Sequence, residues 1–280
     1  MPEQPTTIPE GTVVVTTYGP IRHETARCLM DMRSFTEKQG LHNIRWETVP
    51  ATLVEKARND AVRGMLATGS QWLCFVDGDM TFRSDALLGL LHTAYVAMPR
   101  EADAVGGWCP LRGDMAIPTI DDGTGTWNSW FPGSGIVKVI RTGAAFILFK
   151  RHTFEALQDP WFRVRVPVGR PIDIMLDFDN FARTKFDGNN PFRQLAGNPW
   201  ERLERCAKDD PSIAPGTYVP CEVGEDSSWC DRLQNAGFSI FVNTDVECGH
   251  VDTKIITAAD HKRALTDRDR MQRLLTGVTT

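Results

Sequence analysis

Two acidic residues whose spacing suits a metal ion, Asp77 and Asp79, flank Gly78 at the end of an apolar stretch. Residues 72–76 before them are all apolar, which predicts a buried strand. In an extended chain, residues two apart point the same way, so the two carboxylates would converge and repel each other unless a cation neutralises them. A hard divalent cation, which prefers oxygen ligands, is the natural partner. Asp-Gly is also a common turn signal, so a turn and a metal site both remain open for this motif.

A histidine and a pair of acids further along the chain could complete such a site. His250 follows Gly249 at the end of a strand-like segment. A lone histidine is more often structural, but as a ligand it would make a mixed oxygen and imidazole set, which favours Mn²⁺ over Mg²⁺. Glu225 and Asp226 open a predicted helix, where acids offset the helix dipole without any further role. A carboxylate at that junction could instead serve as a general base if it faces a pocket.

Arg58 and Asn59 lie inside an otherwise apolar helical stretch. Asparagine is a poor helix former, so a specific contact is expected to compensate for it. Two contacts remain open on the sequence, a hydrogen bond to the base of a ligand and a buried structural hydrogen bond.

The elements that position these residues alternate along the first half of the chain. Strands are predicted at 12–19, 43–49, 71–76 and 102–111, and helices at 20–39, 51–69 and 84–98, the last with Ser84 as its N-cap. This alternation indicates βαβ crossovers and a mainly parallel sheet with helices on both faces. In such sheets ligands bind beyond the carboxyl ends of the strands, which is where Asp77 and Asp79 are expected.

The second half of the sequence is less regular. One or two strands are predicted within 135–151, helices at 152–159 and 225–237, and a strand at 238–251. Residues 160–220, rich in proline, glycine, asparagine and basic residues, are interpreted as an insertion that shapes a pocket. The predicted organisation is a flexible tail (1–11), one main domain (12–251, with halves at 12–111 and 112–251) and a C-terminal amphipathic helix (252–280).

Composition narrows the class of protein. The 280 residues carry a formal net charge of -5, which argues against a sequence-blind nucleic-acid binder. The 7 cysteines, an odd number without a Cys-x-x-Cys pair, indicate reduced, mostly buried thiols and a cytoplasmic protein. The longest apolar run, 144–149, is too short to span a bilayer, so no transmembrane segment is expected.

Several motifs follow one another along the chain: TTYG, ARND, FVDGDM, AVGGW, TGAAFILFKR, GEDSSWCDRLQNAGF and CGHV. In this order and at these distances they resemble the nucleotide-sugar glycosyltransferases of the GT-A fold, close to the family 2-like group that occurs in phages and bacteria. The resemblance covers residues 12–251, of which 163–220 match poorly. It implies that 12–251 is one catalytic domain, with a nucleotide-sugar-binding half at 12–111 and an acceptor half at 112–251. It implies an α/β fold of the GT-A type, with a mainly parallel Rossmann-like sheet, helices on both faces and an irregular insertion on the acceptor side.

The resemblance also implies a role for each candidate residue. The nucleotide sugar would contact Thr16, Thr17, Tyr18, Arg58, Asn59, Asp77, Gly78, Gly143 and Ala144. Among these, Arg58 and Asn59 would contact the base or the diphosphate, and Gly143 and Ala144 would lie beneath the sugar. The metal ion would be bound by Asp77, Asp79 and His250. Asp226, helped by Glu225, would lie at the acceptor hydroxyl.

The activity that the resemblance implies is metal-dependent transfer of a hexosyl or pentosyl group from a nucleoside-diphosphate sugar to an acceptor hydroxyl. Mn²⁺, or Mg²⁺, is the expected cofactor. Inversion at the sugar is expected, with Asp226 as the general base. The expected acceptor is a glycan or, as in phage-type DNA, a hydroxylated nucleobase.

Two other functions remain as alternatives. A sugar nucleotidyltransferase also uses aspartates and a metal on an α/β sheet, but it opens with a glycine-rich basic loop after the first strand. The corresponding turn here, TTYGPIRHE, has a single glycine, which disfavours that class. A non-catalytic module would only bind a nucleotide sugar, and donor hydrolysis in the presence of Mn²⁺ would separate it from an enzyme.

Overall fold

The computed structural model describes residues 8–17, 19–50, 53–111, 118–124, 130–163, 224–251, 255–259 and 262. The chain divides into two units, one of Met1–Arg163 with Glu225–Thr280 and one of Val164–Gly224. Apart from Gly224, the second unit lies outside the described residues, so every element below belongs to the first. The predicted domain organisation, including the insertion at 160–220, stays a prediction.

Strands and helices alternate through the first half of the chain. In chain order they are β1 (Gly11–Thr17), α1 (His23–Lys38), β2 (Ile44–Pro50), α2 (Val54–Leu66), β3 (Trp72–Asp77), β4 (Met80–Phe82), α3 (Ala86–His92) and β5 (Ala104–Trp108). The later elements are β6 (Ile120–Asp121), β7 (Ile136–Val139), β8 (Arg141–Thr142), β9 (Phe146–Lys150), α4 (Arg151–Glu155), α5 (Glu225–Asn235), β10 (Ile240–Val251) and β11 (Ile255–Ile256).

The described strands form one large sheet in the order β11-β10-β5-β9-β3-β1-β2, and β4 and β7 also pair with β10. β1 is parallel to both β2 and β3, and β5 is parallel to β10. β9 runs antiparallel to its neighbours β3 and β5, so it is a reversed strand within a sheet whose other central strands share one direction. The predicted α/β class, with a mainly parallel Rossmann-like sheet and helices on both faces, is confirmed.

Side chains of the central strands alternate between the two faces of the sheet, and each face packs against its own helices. One core cluster joins β1 and β3 to α2 and α5 and includes Val14, Val62, Met65, Leu73, Phe75 and Trp229. The other joins the same strands to α1 and α3 and includes Val13, Met32, Cys74, Val76, Leu87 and Leu90. Because β3 is covered on both sides, its residues are apolar without a break, as the sequence pattern indicates.

Three local predictions differ from the structure. Ser84 is not the N-cap of α3: Asp85 holds that position without a side-chain capping bond, and the helix continues beyond His92 as a π-helical turn, Thr93–Ala97. The helix predicted at 152–159 ends at Glu155. Within the segment 252–280, predicted as a helix, Ile255–Ile256 instead form a strand, because they pair with the end of β10.

One property expected from composition, the free and mostly buried thiols, is visible in the described part of the chain. The cysteines there are all free, and all but Cys28 are buried. No helix among the described residues is long and apolar enough to cross a membrane.

The space around Gly11 and around Gly64 predicts opposite effects for alanine substitutions at these two positions. A Cβ at Gly11 would lie 2.0 Å from the ring of Trp72, which is fully buried. Gly11→Ala is therefore expected to lower the free energy of unfolding by about 1–3 kcal/mol. Gly64, inside α2, has space for a Cβ, since the nearest atom would be 3.9 Å away. Gly64→Ala is therefore expected to raise the free energy of unfolding by about 0.5–1 kcal/mol. Urea unfolding measures both, and equal stability of the two variants would contradict this packing.

Candidate active site

The Asp77–Gly78–Asp79 motif is a tight turn between two strands. β3 ends at Asp77, Gly78 and Asp79 form the turn, and β4 begins at Met80. The turn interpretation is thus right for the backbone, and the chain is not extended through the motif. The geometry of an extended chain, in which the two carboxylates would point the same way, therefore does not apply here.

Backbone hydrogen bonds hold this turn against the end of β1. The N–H of Gly78 donates to the carbonyl of Thr16 at 2.9 Å, and the N–H of Arg22 donates to the carbonyl of Gly78 at 3.0 Å. A Cβ at Gly78 would lie 3.1 Å from Cβ and Oγ1 of Thr17. Glycine at this position therefore lets the turn approach β1 more closely than another residue would.

A cavity of about 630 Å³ opens at the carboxyl ends of β1 and β3. Such a crevice is where ligands bind in open α/β sheets, since α1 and α2 leave β1 and β2 towards opposite faces. The described residues that line the cavity are Thr16, Thr17, Gly19, Pro20, Ile21, Arg22, His23, Val54, Ala57, Asp77, Gly78, Asp79 and Val251. Its wall thus combines apolar side chains with both acidic residues of the turn and two basic residues.

Arg58 on α2 is 3% exposed and binds two carboxylates that belong to different elements. Its Nη2 donates to Oδ1 and Oδ2 of Asp77 at 3.2 and 3.3 Å, and its Nη1 donates to Oε1 of Glu225. Asp77 Oδ1 also accepts a hydrogen bond of 2.7 Å from Thr16 Oγ1. The charge of Asp77 is therefore already neutralised by a protein group.

The surrounding charges shift the pKa of both partners in the Arg58–Glu225 pair. Burial by itself would lower the pKa of Arg58, but the carboxylates of Asp77, Glu225 and Asp226 raise it above its ordinary value, so the guanidinium stays charged. Burial raises the pKa of Glu225, which is 14% exposed; Arg58 opposes this effect, and Asp226 and Asp77 add to it. Asp226 itself accepts a 2.6 Å hydrogen bond from the N–H of Ser227.

Asn59 makes the structural hydrogen bond that the sequence left as one of two possibilities. It is 6% exposed, its Nδ2 donates to the carbonyl of Phe162 at 2.7 Å, and its Oδ1 accepts from the N–H of Phe162 at 2.9 Å. Both ends of the amide are thus used by one backbone unit, and Asn59 does not line the cavity. This geometry corrects the predicted contact between Asn59 and a nucleotide.

Asp79 and His250 are neighbours across the pairing of β4 with β10. His250 pairs with Met80, and the N–H of Val251 donates to the carbonyl of Asp79 at 2.8 Å. His250 is 8% exposed, and its Nδ1 lies 2.5 Å from the carbonyl oxygen of Pro110. Since a carbonyl only accepts, Nδ1 carries a proton, and in the neutral ring this leaves the lone pair on Nε2, as in a metal-ligating histidine.

The predicted ligand set of Asp77, Asp79 and His250 is not assembled as a group. Among the residues that the structure describes, no three His, Cys, Asp or Glu side chains are placed to hold one metal ion. The physical reason is the Arg58 contact, which turns the carboxylate of Asp77 towards a fixed cation. Asp79 and His250 still fit a metal ion chemically, as a carboxylate on the cavity wall and an imidazole of suitable tautomer.

Other predicted nucleotide-site residues differ in their relation to the cavity. Thr16 and Thr17 line it, with Thr17 Oγ1 donating to the carbonyl of Gly19 at 2.5 Å, whereas Tyr18 lies outside the described residues. Gly143 is half-buried and Ala144 packs in the core, so neither lines the cavity.

The segment that contains Gly143 and Ala144 nevertheless reaches the site through its backbone. The carbonyl of Ala145 accepts a 2.8 Å hydrogen bond from the N–H of Asp77. This segment therefore stabilises the turn through a backbone hydrogen bond and does not line the cavity.

The sequence patterns did not identify the part of the cavity wall that follows β1. Pro20, Ile21, Arg22 and His23 line the cavity there, and Val54 and Ala57 add one side of α2. Their position directly after the first strand is the signal that could have found them, because the carboxyl ends of parallel strands share one edge of the sheet.

Comparison with known proteins bears on the fold. No protein-family model matches the chain, and no curated protein matches it. Among solved structures, A197 from STIV is similar with a TM-score of 0.51 at 14% sequence identity, over 89% of this chain and 91% of that chain. At this identity the likeness concerns the fold alone.

Two further structures are less similar. S. aureus TarS (residues 1–349) has a TM-score of 0.30 at 10% identity, over 52% of this chain and 48% of that chain. GalNAc-T7, solved with UDP, GalNAc and Mn²⁺, has a TM-score of 0.45 at 9% identity, over 92% of this chain and 48% of that chain. The chain thus matches about half the length of each.

Replacing Asn59 separates a structural residue from a ligand contact. Asn59→Ala leaves the buried N–H and carbonyl of Phe162 without partners, so we expect the free energy of unfolding to fall by about 2–4 kcal/mol. Urea unfolding measures this loss, with Lys56→Ala, an exposed change on the same helix, as the control. Unchanged stability together with weaker nucleotide binding would contradict the structural role.

Proposed function

We propose that this protein is a glycosyltransferase that moves a sugar from a nucleoside-diphosphate sugar to an acceptor hydroxyl. The observation that carries the proposal is the cavity beyond β1 and β3, walled by Asp77 and Asp79, with the Glu225–Asp226 pair tied to Asp77 through Arg58. A binding crevice and a pair of acids next to it are the two parts that such a transfer requires.

The cavity suits a nucleotide in size and in chemistry. Its volume of about 630 Å³ is ordinary for a small-molecule site. Ile21 and Val54 offer apolar surface to a base, while Thr16 and Thr17 offer hydroxyl groups at the end of β1. Arg22 and the first residue of α1, His23, place positive charge and helix N–H groups at the same wall, which favours a diphosphate.

Asp79 and His250 are the residues that would hold Mn²⁺ or Mg²⁺. Two protein ligands leave coordination positions for diphosphate oxygens and water, the usual arrangement for a metal that is bound together with phosphates. When bound, the ion supplies neutralising charge for the departing diphosphate. Asp77, paired with Arg58, would face the ribose.

The α5 junction supplies the proton acceptor in this proposal. In the transfer, the bond between the sugar carbon and the diphosphate oxygen breaks, a bond from the acceptor oxygen to that carbon forms, and the acceptor proton goes to a carboxylate. Asp226 is the proposed base, giving inversion at the sugar, and Glu225 is the adjacent acid that Arg58 holds. The pKa of Glu225 is raised, which makes Glu225 the second candidate to accept the proton of the acceptor hydroxyl.

The acceptor and the compartment belong to the proposal as well. A glycan, or a hydroxylated nucleobase in phage-type DNA, offers the hydroxyl that the transfer needs. Cytoplasmic location, inferred from the thiols, stays a prediction.

The donor and metal assignment predicts a result for Asp79. Thermal shift of the wild-type protein with a panel of nucleotide sugars and Mn²⁺ is expected to identify a stabilising donor. Asp79→Asn should lose the Mn²⁺-dependent part of that shift and lower turnover by about 10²-fold or more, because a preorganised charge beside the diphosphate is gone. The melting temperature without ligands should stay close to the wild-type value.

Asp85→Asn is the matched control, since Asp85 is an exposed acid near the turn that pairs only with Arg83 in the described contacts. Near-normal metal-dependent turnover of Asp79→Asn would refute the metal assignment. Donor binding by the wild type with neither transfer nor hydrolysis would favour the non-catalytic binding module.

The base assignment predicts a large effect on rate for Asp226. Asp226→Asn is expected to lower kcat by about 10²–10⁴-fold with little change in the donor KM, because the acceptor hydroxyl loses its proton acceptor. Steady-state kinetics measure this split. A loss confined to KM would assign Asp226 to substrate positioning. A larger loss of kcat in Glu225→Gln than in Asp226→Asn, at unchanged stability, would make Glu225 the base.

A further inference from the structure

Arg58 joins two elements that are far apart in the chain. Asp77 ends β3, and Glu225 begins α5, 167 residues after Arg58. One buried guanidinium binds both carboxylates, and its Cζ lies 5.8 Å from the centre of the Phe162 ring. The separation between the turn at Asp77 and the start of α5 therefore depends on a single side chain.

Glu225 is the first residue of α5, and its carboxylate is paired with Arg58. Further along, α5 is anchored by Trp229 in the core and by Cys230, whose Sγ donates to the carbonyl of Thr142 at 3.6 Å. The described side-chain contact at its first turn that links it to another element is the one with Arg58.

The residue next to Arg58 binds the end of the first segment of the first unit. Asn59 binds the backbone of Phe162, and this segment ends at Arg163. Two successive residues of α2 thus bind the end of one segment of the unit and the first residue, Glu225, of the next. This arrangement makes α2 the reference for the start of α5.

Stability alone accounts poorly for the Arg58 cluster. Burying several charges stabilises a fold little compared with an apolar cluster of the same volume. The free-energy cost is raised further here, because the buried Nε of Arg58 has no hydrogen-bond partner among the described residues. The geometry instead positions the two carboxylates. A planar guanidinium binds two acids at fixed angles, whereas an ammonium group does not.

We infer that Arg58 is a positioning residue that sets the start of α5, with Glu225 and Asp226, relative to Asp77 on the cavity wall. Rather than contacting the base or the diphosphate, as the sequence resemblance implied, Arg58 aligns the acceptor side of the site with the donor side. The inference rests on the proposed function for its effect on catalysis, whereas the coupling of Arg58 to Glu225 is a property of the protein alone.

Arg58→Lys tests the catalytic effect, because it keeps one positive charge but removes the bridge between the two acids. We expect kcat to fall by about 10²-fold, the loss that follows a misplaced reacting group, while the donor KM changes by less than about threefold. Lys56→Gln, an exposed change on the same helix, is the control and should leave both constants unchanged. A raised donor KM with unchanged kcat would overturn the inference in favour of a direct donor contact.

A double-mutant cycle tests the coupling without any turnover. Melting temperatures are measured for Arg58→Gln, Glu225→Gln and the double variant. If Arg58 holds Glu225, the double variant loses less than the sum of the two single losses, because each single change leaves an unpaired buried charge. Additive losses would overturn the inference. A wild type without transfer or hydrolysis of any donor would refute the proposed function, while the cycle would still decide whether Arg58 fixes Glu225.

Discussion

The buried positive charge of Arg58 is the constraint on which the geometry of the site depends. A guanidinium that is 3% exposed cannot be hydrated, so it must be paired, and both Asp77 and Glu225 are drawn to it. These contacts tie α2, the end of β3 and the start of α5 to one point. The pairing with Arg58 also weakens Asp77 as a metal ligand, because a carboxylate neutralised by arginine attracts a metal ion less than an unpaired carboxylate does.

The Asp77–Gly78–Asp79 turn follows from the same constraint. Its backbone closes tightly on β1, which the absence of a side chain at Gly78 permits, and the carboxylate of Asp77 is paired with Arg58. Asp79 stays on the cavity wall beside the strand that carries His250. A metal centre built this way needs oxygen atoms from the donor to complete it, so donor and metal binding would be linked in the proposed enzyme.

Sequence patterns predicted most of the sheet because they are local. Apolar runs and helical periodicity located β3, α1, α2 and β10 to within a few residues, since burial on one or both faces leaves a repeat in the sequence itself. The cavity edge followed from strand–helix alternation and needed no side-chain detail. The two-residue strand β11 was missed, because its pairing with β10 is a contact between segments and leaves no repeat.

By itself, then, the sequence determined the α/β class, the edge of the sheet that carries the site and the acidic residues gathered near it. Only the tertiary structure decided the partners: Arg58 binds two acids, and Asn59 binds the backbone of Phe162. It also decided the reversed direction of β9. The reason is physical. Local periodicity reports how much of a side chain is buried, whereas the choice of a charged partner depends on which distant segments the fold brings within a few ångströms.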